Sequence, residues 1–476
     1  MNFTSLIRWN SRRYPDKDAV VVGEQRTTFR EFWRLIAAAG ALYERWGVRK
    51  GDPILIVLPN GLPFLIYHFA ALKIGAISVP IKSEFRCWEI AHILRDSEAR
   101  LLVTCDAWLD ENPEAARLSS ELRTVSIDGL EVNAIEGEDQ VRHVRSETTA
   151  SINYCYVGTG RAKGAVLTHG NHIYAATGYT RHQGFSVQDR FLIILPMAHV
   201  YALSGCINSG LIRGGTLVII RNYSPRAILR AIQDYRITIL TAVPAIFEYV
   251  VGYRRRDRFD LSSLRLCVTG GDFMPAALQE QVETVLGSRI VQGYGLTESL
   301  PIICNPPSSK NKHGTLGIPG RRDIWIRILD EDWEPLGPGR VGEIAILSPT
   351  TMAEYHRDPA STQKILRDGW LRTGDLGKLD EDGYLYFSGL KKNIFNIYGN
   401  KVDPLELKAV LLLHPAVRDV DVYLERSQNQ DRIIGAVAIC AKLTLNESGS
   451  VSPKQIRAFC RERLASYKVP KEIHLS

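Results

Sequence analysis

Residues 154–164 read YCYVGTGRAKG, a glycine-rich stretch that combines a flexible backbone with a hydroxyl and a cation. Backbone N–H groups next to glycines can point at phosphate oxygens, and a lysine adds positive charge. The residues that could do so are Gly158, Thr159, Gly160, Lys163 and Gly164. The stretch lacks the GxxxxGK[ST] order of the P-loop NTPases, so on its own it fits a surface turn equally well.

A carboxylate follows the apolar run of VQGYGLTESLPI (291–302), where a predicted strand enters a Gly-Tyr-Gly turn. Thr297 and Glu298 come next, and a carboxylate beside a hydroxyl just past a strand end can hold Mg²⁺ against a phosphate. The alternative is structural, namely a strand–helix turn in which Thr297 caps the helix and Glu298 lies in its first turn.

A second carboxylate lies in GWLRTGDLGKLDEDGYLYFSG (369–389). The pattern predicts that Asp375 occupies a tight, glycine-flanked turn between two aromatic-rich strands. A carboxylate there could accept two hydrogen bonds from a ribose diol. The alternative is an ordinary β-turn aspartate.

Short apolar runs alternate with amphipathic helical patterns over most of the chain. DPILIVLPN (52–60) is typical of a buried strand, GLPFLIYHFAALKIG (61–75) of a helix, and AISVPI (76–81) of a strand again. The alternation recurs between 216 and 271. It predicts an α/β fold whose sheets are mainly parallel and covered by helices.

The pattern changes from about residue 315, where alternating strands and a Gly/Pro turn predict a β-rich subdomain that ends near 388. We therefore expect a large N-terminal domain over residues 1–388. Residues 389–476 predict a small α/β C-terminal domain, and SGLKKN (388–393) is the expected hinge between the two.

The composition argues against several classes of protein. The net charge of +7 suits small anionic substrates, but Lys and Arg are spread along the chain, so nucleic acid is not indicated. The N-terminus lacks the apolar core of a secretory signal, and no run of about twenty apolar residues could cross a membrane. The eight cysteines form no CxxC pair and no metal-ligand cluster, which predicts free thiols in the cytoplasm.

Taken together and in order, with LPMAHVYAL (195–203) and TGG (269–271) between them, these motifs resemble the adenylate-forming superfamily. That superfamily includes acyl- and aryl-CoA synthetases, the adenylation domains of peptide synthetases, and luciferases. The resemblance covers essentially the whole chain, and its most specific motifs are KGAVLTH, YGLTE, GWLRTGDLG and the P.E pair of VDPLELK. It implies two half-reactions: a carboxylate attacks the α-phosphate of ATP, and a thiol, commonly coenzyme A, then displaces AMP. It also implies that the small C-terminal domain rotates between the two steps.

The resemblance implies a role for each matching position. The phosphates of ATP would be held by Thr159, Gly160 and Lys163, in the loop that includes Gly158 and Gly164, and by Thr297. Mg²⁺ would be held by Glu298 and Thr159. The ribose would be bound by Asp375, and the adenine by Gly271, Asp272, Gln292, Gly293 and Tyr294. The acyl pocket would be bordered by His199 and Tyr201, with Phe247, Phe273, Gly295, Pro301 and Ile302 on its walls. Lys392 falls at the hinge position, and Gly399 lies where the pantetheine arm of coenzyme A would pass.

The phosphate loop departs from the superfamily pattern, which is roughly [ST]SG[ST]TGxPKG. Here Tyr156 replaces the serine, Val157 the first glycine and Ala162 the proline. Serine or threonine hydroxyls of the pattern are lost, and charge-assisted hydrogen bonds are worth roughly 1.5–3 kcal/mol each. The change predicts weaker ATP binding unless Gly158 takes over one position later.

Three further departures lie elsewhere in the chain. Leu390 replaces the hinge-side arginine, and Asp272 replaces a position that is usually small and apolar. Asp272 could therefore face the adenine amine or a polar substrate. The adenylation lysine of the superfamily is expected beyond SYKVPKEIHLS (466–476), so we expect the C-terminal domain to be incomplete.

Three hypotheses of function follow. The first is an ATP-dependent ligase that activates a fatty or aromatic acid and transfers it to coenzyme A. The second is a non-catalytic protein that keeps the nucleotide and acyl pocket, and the third is an adenylating enzyme that passes the acyl group to a carrier protein or another nucleophile. The oligomeric state, including a homodimer, is left open.

Overall fold

A computed structural model describes residues 1–300, 302–306, 311–427, 434, 436–446 and 451–475. Up to the phosphate-loop region its elements are α1 (Thr4–Arg13), β1 (Asp18–Val22), β2 (Gln25–Thr28), α2 (Phe29–Arg45), β3 (Pro53–Val57), α3 (Leu62–Ile74), β4 (Ile77–Ile81), α4 (Cys87–Ser97), β5 (Leu101–Thr104), α5 (Asp106–Glu111), β6 (Arg123–Ser126), β7 (Thr149–Tyr156) and β8 (Ala162–Thr168).

The middle of the chain continues the alternation of helices and strands. Its elements are α6 (His169–His182), β9 (Arg190–Ile193), a π-helical segment (Tyr201–Asn208), α7 (Ser209–Arg213), β10 (Thr216–Ile219), α8 (Pro225–Tyr235), β11 (Ile239–Ala242), α9 (Pro244–Val251), β12 (Leu266–Thr269), α10 (Ala276–Leu286), β13 (Arg289–Tyr294), β14 (Ile303–Cys304) and β15 (Ile318–Pro319).

The last third is richer in strands. Its elements are β16 (Trp325–Leu329), β17 (Gly342–Leu347), α11 (Pro359–Ile365), β18 (Leu366–Arg367), β19 (Trp370–Leu379), β20 (Leu385–Leu390), β21 (Phe395–Ile397), β22 (Asn400–Val402), α12 (Pro404–Leu412), β23 (Val417–Ser427), β24 (Ala436–Leu445), α13 (Pro453–Arg461) and β25 (Glu472–Leu475).

Two large sheets make up most of the N-terminal domain. One has nine strands in the order β15-β14-β13-β12-β11-β9-β10-β1-β2, and the other has six in the order β6-β5-β3-β4-β7-β8. The pairs between β13 and β1 in the first sheet are parallel, and so are the pairs between β6 and β7 in the second. The prediction of mainly parallel, helix-flanked sheets is confirmed.

The largest hydrophobic core lies between these two sheets. It joins Val20 and Phe191 from the nine-stranded sheet with Ile54 from the six-stranded sheet. Helix α3 is apolar on every side because nearly all its residues are buried in this core. The helix ends at Gly75, which has a left-handed φ of 77° and therefore favours glycine.

The β-rich subdomain is a separate five-stranded antiparallel sheet, β16-β17-β19-β18, with β20 paired to β19. Strand β20 extends to Leu390, which lies opposite Asp375 in the ladder. The core of the C-terminal domain begins at Phe395. Residues 391–394 therefore connect strand β20 to the core of the C-terminal domain, and the boundary between residues 388 and 389 stays a prediction.

The C-terminal domain packs α12 and α13 against the sheet β23-β24-β25, and β21 and β22 form a small hairpin before them. Strands β23 and β24 are antiparallel, while β24 and β25 are parallel. Within the described part of the chain, no helix combines the length and apolar character needed to span a membrane.

Candidate functional site

The glycine-rich stretch forms the hairpin between β7 and β8. Cys155 pairs with Lys163 across the two strands, which leaves 157–161 as the turn. Gly158 and Gly160 have φ values of 84° and 76°, so both occupy the left-handed region that favours glycine. After the turn, KGAVLTH continues strand β8 as far as Thr168.

Gly164 has a packing role inside strand β8. A Cβ on it would lie 2.6 Å from Cγ2 of Ile152, and the backbone conformation is not left-handed. Thr159 lies exposed at the tip of the turn, where its hydroxyl donates to the carbonyl of Arg161 at 3.2 Å. Gly158, Thr159 and Gly160 therefore form the tip of the hairpin turn, and of these three residues Thr159 is exposed.

Lys163 is held in place by residues near the start of α11. Its ammonium group donates to the carboxylate of Asp358 and to the hydroxyl of Ser361, the latter at 2.7 Å. The hydrogen bond from Lys163 lowers the pKa of Asp358 to about 2. The lysine also lies over the ring of Tyr355 at 5.8 Å. The cation is thus positioned at the base of the hairpin.

Glu298 is buried beside the same hairpin. Its Oε1 accepts from the Tyr355 hydroxyl at 2.5 Å and from Sγ of Cys155 at 3.3 Å. Burial, and next the charge of Glu298, raise the pKa of the Cys155 thiol, which stays protonated as a donor. A tight turn over Leu296–Ser299 presents this carboxylate, and no helix begins there. The strand–helix alternative for Thr297 and Glu298 is therefore wrong.

Asp375 lies within strand β19 and is not at a hairpin turn. A register irregularity opposite Ile344 places Thr373, Gly374 and Asp375 in a bulge, and Gly374 has a φ of 76°. The Tyr294 hydroxyl donates to Oδ2 of Asp375 at 2.7 Å. Burial raises the pKa of Asp375.

The predicted hinge lysine lies across this bulge. The Lys392 ammonium donates to the Thr373 carbonyl at 3.1 Å. A Cβ on Gly374 would lie only 2.2 Å from Cε of Lys392, so the lysine covers the glycine closely. Lys392 and Lys401 both favour the charged form of Asp375, against the effect of burial on its pKa. The two lysines of the C-terminal domain thus approach the predicted ribose site.

The predicted adenine residues cluster where β12 and β13 end. Gly271 has a φ of 76°, and the Asp272 carboxylate accepts from the N–H of Phe273 at 2.9 Å. Gly293 and Tyr294 are the last residues of β13. Gln292 is completely buried, and its amide bonds the amide of Gln279 at 3.0 Å, so it supports the turn from behind.

His199 and Tyr201 come together at the start of the π-helical segment. Nδ1 of His199 accepts from the N–H of Tyr201 at 3.2 Å, and the Tyr201 hydroxyl donates to the Val268 carbonyl at 3.2 Å. Burial lowers the pKa of His199 to about 3, and the neighbouring charges of Lys82 and Lys401 act in the same direction. The imidazole is therefore neutral near pH 7.

The other predicted pocket residues have different surroundings. Phe273 stacks on Phe387 with 5.9 Å between ring centroids and is partly exposed. Phe247 and Ile302 are completely buried in two separate hydrophobic cores. Gly295 is exposed after β13, and Pro301 lies outside the described residues.

The hairpin of β21 and β22 contacts the N-terminal domain beside the predicted adenine residues. The Asn396 amide donates to the Gly271 carbonyl at 2.9 Å, and a Cβ on Gly399 would lie 2.6 Å from Cγ1 of Val243. Lys82 of the N-terminal domain donates to Oδ1 of Asn400 at 2.6 Å. Gly399 therefore lies against Val243 and next to Gly271, one of the predicted adenine residues.

A buried charged cluster joins the two domains behind the hairpin, and the sequence did not indicate it. Lys468 is fully buried and lies 2.5 Å from a carboxylate oxygen of Glu89 and 2.8 Å from one of Glu406. The Tyr156 hydroxyl donates to Glu406 at 2.5 Å, and the Lys468 ammonium donates to that hydroxyl at 2.9 Å. Asp403 also reaches the hairpin, where its Oδ2 accepts from the N–H of Gly160 at 2.7 Å.

The chain is similar to known proteins over most of its length. A family model described as AMP-binding enzyme matches residues 7–356. The chain is 29% identical to a 2-succinylbenzoate–CoA ligase of Bacillus licheniformis over 476 residues, which covers 100% of this chain and 96% of the relative. It is 30% identical to a feruloyl-CoA synthase of Amycolatopsis sp. over 471 residues, covering 98% of this chain and 93% of the relative.

Two solved structures of o-succinylbenzoate coenzyme A synthetase from Bacillus subtilis are also similar, both at 27% identity and both covering 99% of this chain and 94% of the solved chain. A double mutant bound to a product analogue, OSB-NCoA, gives a TM-score of 0.87, whereas the complex with AMP gives 0.74. The chain belongs to the family of AMP-binding enzymes, and its relatives are acyl- and aryl-CoA ligases.

Proposed function

We propose that this protein activates a carboxylic acid with ATP and transfers the acyl group to coenzyme A. The observation that carries the proposal is the meeting of four separate motifs at one cleft: the β7–β8 hairpin, Glu298, Asp375 and the docked loop of Gly399. In the first half-reaction the acid would attack the α-phosphorus of ATP and release pyrophosphate. In the second the thiol of coenzyme A would attack the acyl carbonyl and release AMP.

The hairpin would hold the β- and γ-phosphates. The N–H of Gly160, in its left-handed conformation, and the hydroxyl of Thr159 can donate to phosphate oxygens, and Lys163 supplies positive charge at the base of the turn. Fixed donors of this kind stabilise charge that develops on the leaving pyrophosphate. Asp375, fixed by the Tyr294 hydroxyl, would accept hydrogen bonds from the ribose.

Glu298 fits a magnesium role. Hard cations prefer carboxylate oxygens, and Mg²⁺ is commonly held by one or two carboxylates together with substrate phosphates. Tyr355 and Cys155 both bond the same oxygen of Glu298, Oε1, and so fix the orientation of the carboxylate. Thr159, on the neighbouring hairpin, would add a hydroxyl. When bound, the ion would neutralise phosphate charge in the first half-reaction, in which pyrophosphate leaves.

We expect the acid to be apolar, either fatty or aromatic. Tyr201, the neutral His199 and the partly exposed Phe273, stacked on Phe387, offer aromatic surface close to the nucleotide cleft. The named activities of the relatives, on 2-succinylbenzoate, on a feruloyl substrate and on long-chain fatty acids, support an aryl or fatty acid. All eight cysteines are free thiols, in keeping with the cytoplasmic location that we propose.

The test measures the two half-reactions separately with a panel of acids that includes ferulate, 2-succinylbenzoate and decanoate. Acid-dependent exchange between ATP and pyrophosphate reports the adenylate, and chromatography of the coenzyme A thioester reports the transfer. We expect both signals with at least one aromatic or fatty acid. A folded protein that gives no exchange with any acid would contradict the proposal. Exchange together with transfer to a carrier-protein arm, but not to coenzyme A, would favour a different acceptor.

A further inference from the structure

The phosphate hairpin is occupied in this arrangement by a carboxylate of the protein itself. Asp403 is fully buried, and its Oδ2 accepts from the N–H of Gly160 at 2.7 Å. Its other oxygen, Oδ1, accepts from the N–H of Leu405 at 3.0 Å and thereby caps helix α12. One oxygen of Asp403 therefore caps α12, while the other occupies the N–H donor of the hairpin.

The start of α12 packs closely on the hairpin. A Cβ on Gly160 would lie 3.3 Å from Cβ of Leu405, and a Cβ on Gly158 would lie 3.8 Å from the carbonyl oxygen of Asn393. Glu406, in the first turn of α12, accepts from the hydroxyl of Tyr156 at 2.5 Å. The helix therefore contacts the hairpin both at its tip and on its first strand.

We propose that Asp403 is an internal substitute for phosphate, so that the docked C-terminal domain and a hairpin-bound phosphate exclude each other. A single N–H of Gly160 cannot donate fully to two anions, and a carboxylate next to a phosphate adds like-charge repulsion. Building on the proposed ligase function, Asp403 would allow the Gly399 loop to dock only after pyrophosphate has left. Asp403 is therefore a positioning residue that sets the order of the two half-reactions.

The proposal requires no bond to form or break at Asp403. Pyrophosphate leaves, the Gly160 N–H donates to the Asp403 carboxylate instead, and α12 packs on the hairpin. The same contact then holds Asn396 and Gly399 against Gly271 and Val243. Conversely, a high concentration of pyrophosphate would undock the C-terminal domain.

The test measures the binding of inorganic pyrophosphate, with Mg²⁺ present, to the full chain by titration calorimetry. Asp403→Asn keeps one oxygen for the Leu405 cap but presents an amide donor to the Gly160 N–H. Asp403→Ser keeps a capping oxygen but is too short to reach the hairpin. We expect both variants to bind pyrophosphate roughly ten-fold or more tightly than the wild type, because the competing charged hydrogen bond is gone.

The matched control is Asp419→Asn, which removes an exposed carboxylate of the same domain that pairs with Lys408. It should leave pyrophosphate affinity unchanged. Hydrogen exchange of residues 396–403 supplies a second measurement: pyrophosphate should raise exchange there in the wild type, whereas the Asp403 variants should exchange fast without ligand. Loss of a merely structural contact would not increase affinity for pyrophosphate.

The outcomes separate the two proposals. If the folded Asp403 variants bind pyrophosphate no more tightly than the wild type, the role of Asp403 is refuted while the ligase reaction stands. If neither the wild type nor the variants bind pyrophosphate, the hairpin is not a phosphate site, and the phosphate assignment fails together with this proposal. Tighter binding in the variants with no thioester formed from any acid would support Asp403 and contradict the ligase.

Discussion

Replacing Lys468 by methionine tests whether the buried charged cluster holds the two domains together. Lys468 lies just before β25 and is fully buried, with Glu89 of α4 at 2.5 Å and Glu406 of α12 at 2.8 Å. Methionine has a similar length and can fill the space, but it removes the only cation among these three side chains. Two buried carboxylates would then face each other without the cation that pairs with both of them.

Removing one partner of a buried ion pair costs about 3–5 kcal/mol, because a buried charge is left uncompensated. The pH dependence follows from Glu406. Burial first, and then the charge of Glu89, raise the pKa of Glu406 to about 7 even though Lys468 lowers it. Its folded pKa is above the unfolded value, so the stabilisation from its bound proton is lost as the pH rises from about 4.5 through 7.

Without Lys468 the carboxylates hold their protons to still higher pH. Each additional proton kept by the folded variant changes its stability by about 1.4 kcal/mol per pH unit relative to the wild type. We therefore expect Lys468→Met to lose the full amount of about 3–5 kcal/mol at pH 8, and less than about 2 kcal/mol at pH 5, where a carboxylate can be neutral.

Urea unfolding at pH 5, 6.5 and 8, followed by circular dichroism, gives the comparison. Lys471→Met is the matched control, because Lys471 lies three residues further along the same segment and is exposed; its stability should stay near that of the wild type. A deficit for Lys468→Met that is equal at pH 5 and pH 8, or below about 1 kcal/mol at both, would refute the reasoning.

Three further substitutions test the cleft. Gly399→Ala would place a Cβ 2.6 Å from Val243, so thioester formation should slow about ten-fold or more while ATP–pyrophosphate exchange persists. Gly383→Ala is the control for backbone strain, because Gly383 also has a positive φ but a Cβ on it would have nothing within 4 Å. Equal losses of thioester formation in the two variants would contradict the docking contact. Glu298→Gln should raise the Mg²⁺ concentration needed for half-maximal exchange about ten-fold; an unchanged requirement would exclude Glu298 as a ligand. Asp375→Asn should raise KM for ATP about ten-fold with little effect on KM for the acid, and the opposite pattern would contradict the ribose role.

The motifs could be located from the sequence because each carries its own local signal. The βαβ alternation predicted the parallel sheets, and that alternation is local in the chain. The exact element that carries each motif was less predictable. KGAVLTH contains a short apolar run that suits a helix or a strand, and only the pairing of Cys155 with Lys163 across β7 and β8 decides between them. For Asp375, the nearby Gly374 and Gly377 suggested a turn, whereas Gly374 lies in a bulge inside a long strand.

The contacts between domains could not be read from the sequence, because their partners are far apart in the chain. Tyr156 and Glu406 are 250 residues apart, and Lys468 and Glu89 are 379 apart. Lys and Glu are mostly exposed in folded proteins, so nothing in the local pattern marks Lys468 or Glu89 as buried. In the sequence, Asp403 is typical of a helix cap. Its second oxygen accepts from the Gly160 N–H only when the two domains are in contact.

These contacts explain what Tyr156 does at the position where the superfamily pattern has a serine. A serine at that position would offer a hydroxyl to a phosphate but could not span the distance to α12, whereas the phenol reaches Glu406 at 2.5 Å and Lys468 at 2.9 Å. Compared with the serine of the superfamily pattern, the tyrosine therefore places its hydroxyl at the interface between the domains. The hydrogen bonds of the tyrosine hydroxyl stabilise the docked arrangement. The chain superposes with a TM-score of 0.87 on the relative bound to a coenzyme A product analogue, and with a TM-score of 0.74 on the same relative bound to AMP. It follows that a Tyr156→Ser variant should gain ATP affinity and lose docking stability together, because both depend on one hydroxyl position.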